Sequence, residues 1–234
     1  MKVFVLGHKG MLGHMVVKYL ESQGVDIATT SKRFPDWNPN MFAQADYIVN
    51  CIGAIPQRTN NFTINYELPE WLGKLDQKVI HPGTDCEMDD DDYGLSKRKA
   101  AEYIINHTTN TKILKTSIIG PEVNSKASLF EWFLSQNDDV FGYTKAIWNG
   151  NTTLQWAKQC FHMMKNWNKY KVLNILQGES ISKYDMLCLF KDTFQVQANI
   201  IPKELGKNKC LEGNIQTPSL MRQLNELKRF YYAT

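Results

Sequence analysis

Short apolar runs alternate with amphipathic segments through the first half of the chain. Lys2–Leu6 is a β-rich run. Met11, Leu12, Met15, Val16, Tyr19 and Leu20 then recur at helical spacing until Gly24 supplies a stop. Further strands are read over Val25–Thr30, Asp46–Asn50, Lys78–His81 and Lys112–Thr116. A helix starts near Tyr93 and carries Ala100, Ala101, Ile104 and Ile105. Between Asn61 and Gln77 lies a polar, partly helical segment in which Pro69 argues against a continuous helix. Strands alternating with helices predict an α/β fold, a Rossmann-like, doubly wound parallel sheet with helices on both faces.

The second half reads differently. Leu129, Trp132 and Phe133 mark one helix, and Leu154, Ala157, Cys160, Phe161 and Met164 another. Lys171–Leu176 is a strand. Ser182 to Asp185 is a capping box ahead of Met186, Leu189 and Phe190, and Thr217-Pro218 is a helix start with proline at the first position. Two regions are expected: a core over 1–120, and a small, mixed substrate-binding region over 121–234 that leans on it, with part of that chain returning to the sheet.

Composition narrows the class. The chain has 234 residues, 43% hydrophobic and 22% charged, as in an ordinary globular protein. Its net charge of +3 comes without a cluster of Lys and Arg, which argues against a nucleic-acid partner. No apolar run is long enough to span a bilayer, and Gly7 ends the first run too early for a secretion signal. A cytoplasmic location without membrane contact is the expectation. Cysteines 51, 86, 160, 188 and 210 are widely spaced, form no Cys-x-x-Cys pair, and read as free thiols in a reducing compartment.

Chemistry enters at Gly7-His8-Lys9-Gly10-Met11-Leu12-Gly13, a glycine-rich turn directly after a strand and opening a helix. In that context Gly7 permits the turn, Gly10 a close backbone approach, and Gly13 helix-on-strand packing, while free N–H groups and the helix dipole favour a pyrophosphate. A dinucleotide site is the reading, with a ligand-free turn as the alternative. The second strand ends in Thr29-Thr30-Ser31-Lys32-Arg33, without the carboxylate that binds a ribose 2′-hydroxyl. Lys32 and Arg33, with Lys9, would suit the 2′-phosphate of NADPH. As solvated loop charges they would leave NADH open.

Tyr93 and Lys97 stand at i and i+4, on one face of a helix that begins after the fourth strand. A neighbouring ammonium is expected to lower the phenol pKa, so that Tyr93 exchanges a proton with a carbonyl oxygen. Thr84, after the same strand, is either a second hydrogen-bond donor to that oxygen or simply a turn residue in Pro82-Gly83-Thr84-Asp85. The acidic run Asp89–Asp92 favours the helix N-terminus that follows, and no metal site is expected.

These segments together resemble the extended short-chain dehydrogenase/reductases, and within them the dTDP-4-dehydrorhamnose reductase family. The resemblance is carried by Val5–Gly13, Asp46–Gly53, Ile64-Asn65, Thr84-Asp85, Tyr93–Lys97, Lys115–Gly120 and Gly178–Asp185. It implies NADPH-dependent reduction of the 4-keto group of a nucleotide-linked 6-deoxyhexose. Thr84, Tyr93 and Lys97 match the catalytic triad. Asn50, Cys51, Ile52, Gly53 and Asn65, with Ser117 and Ile118, match segments around the cofactor. Asp85, Tyr143 and Trp148 are the candidates for contact with the substrate, the last two being equally readable as core. Cys86 after Thr84-Asp85 departs from the Asp-Glu of the related dehydratases. The segment from Asp85 to Asp92 is shorter and more acidic than the family's, and a homodimer is left open. Two alternatives remain: a cofactor-binding subunit like the regulatory subunit of methionine adenosyltransferase, and a nucleotide-sugar epimerase.

Overall fold

The structure is a computed structural model that describes residues 1–124 and 126–232. The chain runs β1 (Lys2–Leu6), α1 (Met11–Ser22), β2 (Asp26–Thr29), β3 (Tyr47–Asn50), α2 (Ile64–Leu72), β4 (Lys78–Gly83), α3 (Asp92–His107) and β5 (Thr111–Lys115). It continues through β6 (Ile118–Ile119), α4 (Leu129–Leu134), β7 (Val140–Tyr143), β8 (Ile147–Trp148), β9 (Asn151–Thr152), α5 (Thr153–Lys165), β10 (Leu173–Gln177), β11 (Ile181–Ser182), α6 (Lys183–Phe194), β12 (Ile200–Lys203), β13 (Ile215–Gln216) and α7 (Leu220–Leu227).

Among the described residues the main sheet has seven strands in the order β13-β10-β5-β4-β3-β1-β2. The pairs β1·β2, β1·β3, β3·β4 and β4·β5 are parallel, as is β10·β13. This is the Rossmann-like, doubly wound arrangement that the alternating pattern predicts. The strand order reverses around β1, because β2 pairs on one side of it and β3 on the other. The carboxyl ends of β1 and β3 therefore flank the switch point where open α/β sheets take ligands.

Two compact units divide the chain. One comprises Met1–Lys115 with Ala157–Asn174, the other Thr116–Trp156 with Ile175–Thr234. In the first, β1 and β3 are buried nearly throughout, which is why they read as continuous apolar runs rather than alternating ones. An aromatic cluster fills one face. Phe42 is fully enclosed, with Phe4 at 4.7 Å and Trp37 and Trp71 both at 6.0 Å, all edge-on. Asn110 joins α2 to the sheet, donating from Nδ2 to the carbonyls of Leu72, Leu75 and Gln77.

In the second unit, β7 and β12 form a parallel pair and β8 and β11 an antiparallel one. A buried polar network organises its interior. Gln223 on α7 accepts from the Thr152 N–H and donates to Asn151 Oδ1, and Asn151 donates to Thr116 Oγ1. Satisfying each partner is what makes such groups tolerable in a core.

Two local readings need correction. Helix α2 is continuous through Pro69. Leu68, Pro69 and Leu72 are all buried, and that apolar packing outweighs the hydrogen bond a proline forfeits. Helix α7 starts two residues later than the proline signal suggests, with Ser219 at the N-cap and Pro218 outside the helix. The carbonyl of Pro218 is instead taken up by Gln223 Nε2 at 2.8 Å.

Truncating the most enclosed ring of the aromatic cluster should be costly. Phe42→Ala is expected to lower the unfolding free energy by about 3–5 kcal/mol. Urea denaturation with an unaltered slope and a lowered midpoint would be the result.

Candidate active site

The site begins with the turn between β1 and α1. Gly7 has φ +74, in the left-handed region, and a Cβ there would lie 2.7 Å from the Cys51 carbonyl oxygen. A Cβ on Gly13 would lie 2.1 Å from the Gly7 carbonyl oxygen, so helix and strand touch only because this residue has no side chain. Gly10 is the N-cap of α1 and the Gly10 N–H closes the turn onto Gly7 O at 2.9 Å. No side chain caps the helix and no acidic residue stands in its first turn. The first-turn residues Met11, Leu12 and Gly13 thus belong to a helix end suited to an anionic group. Lys9 is exposed beside it.

The next element is the segment after β3. Asn50 Oδ1 accepts the Ile52 N–H at 3.1 Å, and Asn50 Nδ2 lies 3.2 Å from His81 Nδ1. Asn65, 2% exposed at the start of α2, accepts the Ala54 N–H at 2.7 Å and donates to the Ala54 carbonyl at 3.0 Å. Its Nδ2 also reaches Ser96 Oγ at 3.0 Å, and Ser96 donates to the Tyr93 carbonyl at 2.7 Å. Through these bonds Ala54 and Asn65 are tied to the helix that carries Tyr93 and Lys97.

Helix α3 starts where Asp91 Oδ1 accepts the Gly94 N–H at 2.7 Å. Gly94 is obligatory there, since its Cβ would lie 2.5 Å from the carbonyl oxygens of Asp89 and Cys86. Tyr93 packs edge-on against Phe62 with centroids 5.7 Å apart. Its hydroxyl hydrogen-bonds the Thr84 side chain. Thr84 in turn donates to Asp85 Oδ1 at 3.1 Å. Lys97 is 7% exposed and its Nζ donates to the Pro82 carbonyl at 3.2 Å. The structure thus brings Thr84, Asp85, Tyr93 and Lys97 together at the carboxyl end of β4.

Electrostatics here run opposite to one expectation. The Tyr93 phenol is pushed well above its ordinary value, first by burial, then by the charges of Cys86, Asp85 and Glu87; the Thr84 hydrogen bond opposes them. The lowering expected from Lys97 does not occur: burial is the largest cause, and the anionic groups of the short segment before the helix add to it. Burial lowers Lys97, while Glu87 and Cys86 act to keep it charged. His81, also buried, is held well below its usual value, with Lys97 adding to the effect of burial. Tyr93 is accordingly a protonated phenol across the neutral range.

The remaining sequence candidates belong to other segments. Ser31, Lys32 and Arg33 are exposed after β2, and the Lys32 carbonyl accepts from Trp37 Nε1 at 3.0 Å. Ser117, Ile118, Tyr143 and Trp148 belong to the second unit. The Ser117 carbonyl accepts the Asn151 N–H at 2.9 Å. Trp148 is 5% exposed, its indole filling the space a side chain on Gly150 would need, whereas Tyr143 is 36% exposed on β7. Sequence reasoning missed His81, Glu87, Ser96 and Arg98. Arg98 donates to the carbonyls of Glu87 and Asp89 and pairs with Asp90 at 3.1 Å. The one sequence signal for it is its spacing, on the helix face next to that of Tyr93 and Lys97.

No family model and no curated protein matches the chain. Solved structures do. A dTDP-4-dehydrorhamnose reductase from Bacillus anthracis, solved in complex with NADP, is 15% identical, with a TM-score of 0.82 over 100% of this chain and 99% of that one. A dTDP-4-dehydrorhamnose reductase from Clostridium acetobutylicum is 16% identical, with a TM-score of 0.75 over 97% and 98% of the two chains. UDP-N-acetylglucosamine 4-epimerase from Bacillus cereus is 14% identical, with a TM-score of 0.77 over 100% and 97%. At these identities the likeness is one of fold, and it extends over the whole chain.

The state of His81 has a measurable consequence. Its folded pKa is depressed below 6.5, so the unfolded chain takes up a proton first as pH falls. Its contribution is complete above pH 6.5 and is lost progressively below it. His81→Gln is expected to flatten the fall in thermal midpoint on acidification from neutral pH, as read by a denaturation series against pH.

Proposed function

We propose that this chain is an NADPH-dependent oxidoreductase that reduces the 4-keto group of a nucleotide-linked 6-deoxyhexose, a step of deoxysugar and polysaccharide biosynthesis. The observation that carries this reading is the Thr84–Tyr93–Lys97 cluster at the end of β4, in the same unit as a glycine turn built for an anionic ligand. The cofactor preference draws support from Lys32 and Arg33 after β2 and from the neighbour solved with NADP.

With its diphosphate at the turn, a reduced nicotinamide dinucleotide would supply hydride to a carbonyl carbon. The chain's own part is proton chemistry and positioning. Tyr93, held protonated by burial, gives its proton to the carbonyl oxygen as negative charge develops there. Thr84 offers its hydroxyl to the same oxygen, and the Lys97 ammonium stabilises the phenolate left behind. Gly7, Gly10 and Gly13 admit the diphosphate to the backbone, and the Met11 and Leu12 positions start the helix whose dipole faces it. The segment Asn50–Gly53, braced by Asn65, together with Ser117 and Ile118, is assigned to the cofactor, and Asp85, Tyr143 and Trp148 to the sugar nucleotide. A cytoplasmic enzyme, with a homodimer as its candidate assembly, suits the five free cysteines. Among the described residues no helix is long and apolar enough to cross a membrane.

The likeness to an epimerase makes a second reading concrete, because an epimerase returns its hydride and consumes no reductant. NADPH oxidation with dTDP- and UDP-4-keto-6-deoxyglucose distinguishes the two. Turnover in the wild type and a loss of about 100-fold or more in Tyr93→Phe is the expected outcome. Interconversion of sugar nucleotides without net oxidation would favour the epimerase. Tight cofactor binding with neither reaction would favour a regulatory subunit.

Cofactor choice is tested separately. Replacing Lys32 and Arg33 by Ala should weaken NADPH binding about 10- to 100-fold while leaving NADH affinity unchanged. Fluorescence titration reads this directly, and equal losses for both cofactors would remove these residues from the 2′-phosphate.

A further inference from the structure

The segment between β4 and α3 contains a buried ion pair that the reaction as described does not use. Glu87 is 8% exposed, and its two carboxylate oxygens have different partners. Oε1 accepts the Thr84 N–H at 2.8 Å, and Oε2 accepts from Lys115 Nζ at 2.7 Å. The side chains of Lys115 and Glu87 are 13% and 7% exposed. Gly83 and Lys115 are register partners on β4 and β5, so the pair sits where these two strands end. A Cβ on Gly83 would lie 2.9 Å from Glu87 Oε1 and 2.8 Å from Lys115 Cβ, so the glycine makes room for the carboxylate. The Glu87 backbone is fixed as well, since its carbonyl accepts from Arg98 Nε at 2.8 Å.

The groups that Glu87 touches join the proton donor's neighbour, its helix and the sheet. Thr84, held through its N–H, hydrogen-bonds Tyr93. Arg98 follows Lys97 on α3. Lys115 anchors the carboxylate to the carboxyl end of β5, which is paired along its length with β4.

We propose that the Glu87–Lys115 pair is a clamp that sets Thr84 opposite Tyr93, making Glu87 a positioning residue for the proton transfer. The inference rests on the reductase reading for its catalytic meaning, and on geometry alone for the clamp. Glu87 takes no proton and touches neither substrate nor cofactor. It fixes the Thr84 backbone, and through it the hydroxyl that shares a hydrogen bond with the phenol. Its charge also acts to keep Lys97 protonated in a buried place, which supports the same assignment. Burying an ion pair costs desolvation that a pair of apolar residues would avoid, so its presence next to the proton donor fits a role in placement rather than in stability.

The test uses Glu87→Ala and the double variant Glu87→Gln/Lys115→Met. The double variant removes both charges and keeps a carbonyl oxygen for the Thr84 N–H. Glu87→Ala should lower kcat about 100-fold, the scale of a small misplacement, with KM for NADPH unchanged. Hydrogen exchange at residues 83–88 should accelerate in the same variant. The double variant should recover kcat to within about tenfold of wild type and restore slow exchange, as a positional role requires. Unchanged kcat and exchange in Glu87→Ala would overturn the clamp. A folded double variant about 100-fold slower than wild type would overturn placement in favour of charge alone, and this arm decides even if Glu87→Ala does not fold. A wild type that turns over no keto-sugar nucleotide would sink the reductase reading, and exchange at Thr84 would still decide the clamp.

Discussion

The rest of the structure depends on how closely β1 and α1 approach one another. With a Cβ at Gly13 only 2.1 Å from the Gly7 carbonyl, no other residue fits without moving the helix away from the strand. That contact fixes the direction of α1 and therefore what its N-terminus faces. It also sets the height of the neighbouring segment, because the Cys51 carbonyl lies where a side chain on Gly7 would stand. From Cys51 the connections run through Ala54 and Asn65 to Ser96, and so to the backbone of Tyr93. A steric condition at two glycines is thus continuous, along the chain from Cys51 to Ala54 and by hydrogen bonds beyond it, with the placement of a phenol on another helix.

Charge is managed at the same edge by burial as much as by pairing. Lys97, Glu87 and Asp85 are all nearly enclosed within one short stretch of chain. Such groups are costly to desolvate, and each has a partner: the Pro82 carbonyl for Lys97, Lys115 and the Thr84 N–H for Glu87, the Thr84 hydroxyl for Asp85. The anionic side of this cluster, together with burial, keeps Tyr93 protonated, which is the state a proton donor requires.

Much of this was legible in the sequence where the physics is local. The glycine spacing, the buried runs of β1 and β3 and the start of α3 follow from steric and periodic rules that act over a few residues. The sheet follows from their alternation. What the sequence hides is set by partners far along the chain. Gln223 and Thr152 look unremarkable apart and make one bond, and β7 finds its partner strand only at Ile200–Lys203. Pro69 misleads because packing on Leu68 and Leu72 overrides a local cost. The acidic segment before Tyr93 reads only as charge that favours the helix N-terminus after it. In the fold Glu87 turns inward to Lys115, while Asp91 caps the helix and Asp90 meets Arg98. No local rule distinguishes these three carboxylates.

The division of the chain has a consequence for its synthesis. The first unit is not complete at Lys115, because it takes up Ala157–Asn174 after the chain has contributed Thr116–Trp156 to the second. As the polypeptide leaves the ribosome, β5 is therefore an open sheet edge until Val172 arrives, whose carbonyl accepts the Ile113 N–H. The nascent protein must carry that edge through the emission of the roughly fifty-six residues between Lys115 and Val172. β5 carries lysines at Lys112 and Lys115, one on each face, and charged residues on an open strand discourage pairing with a foreign strand during the wait.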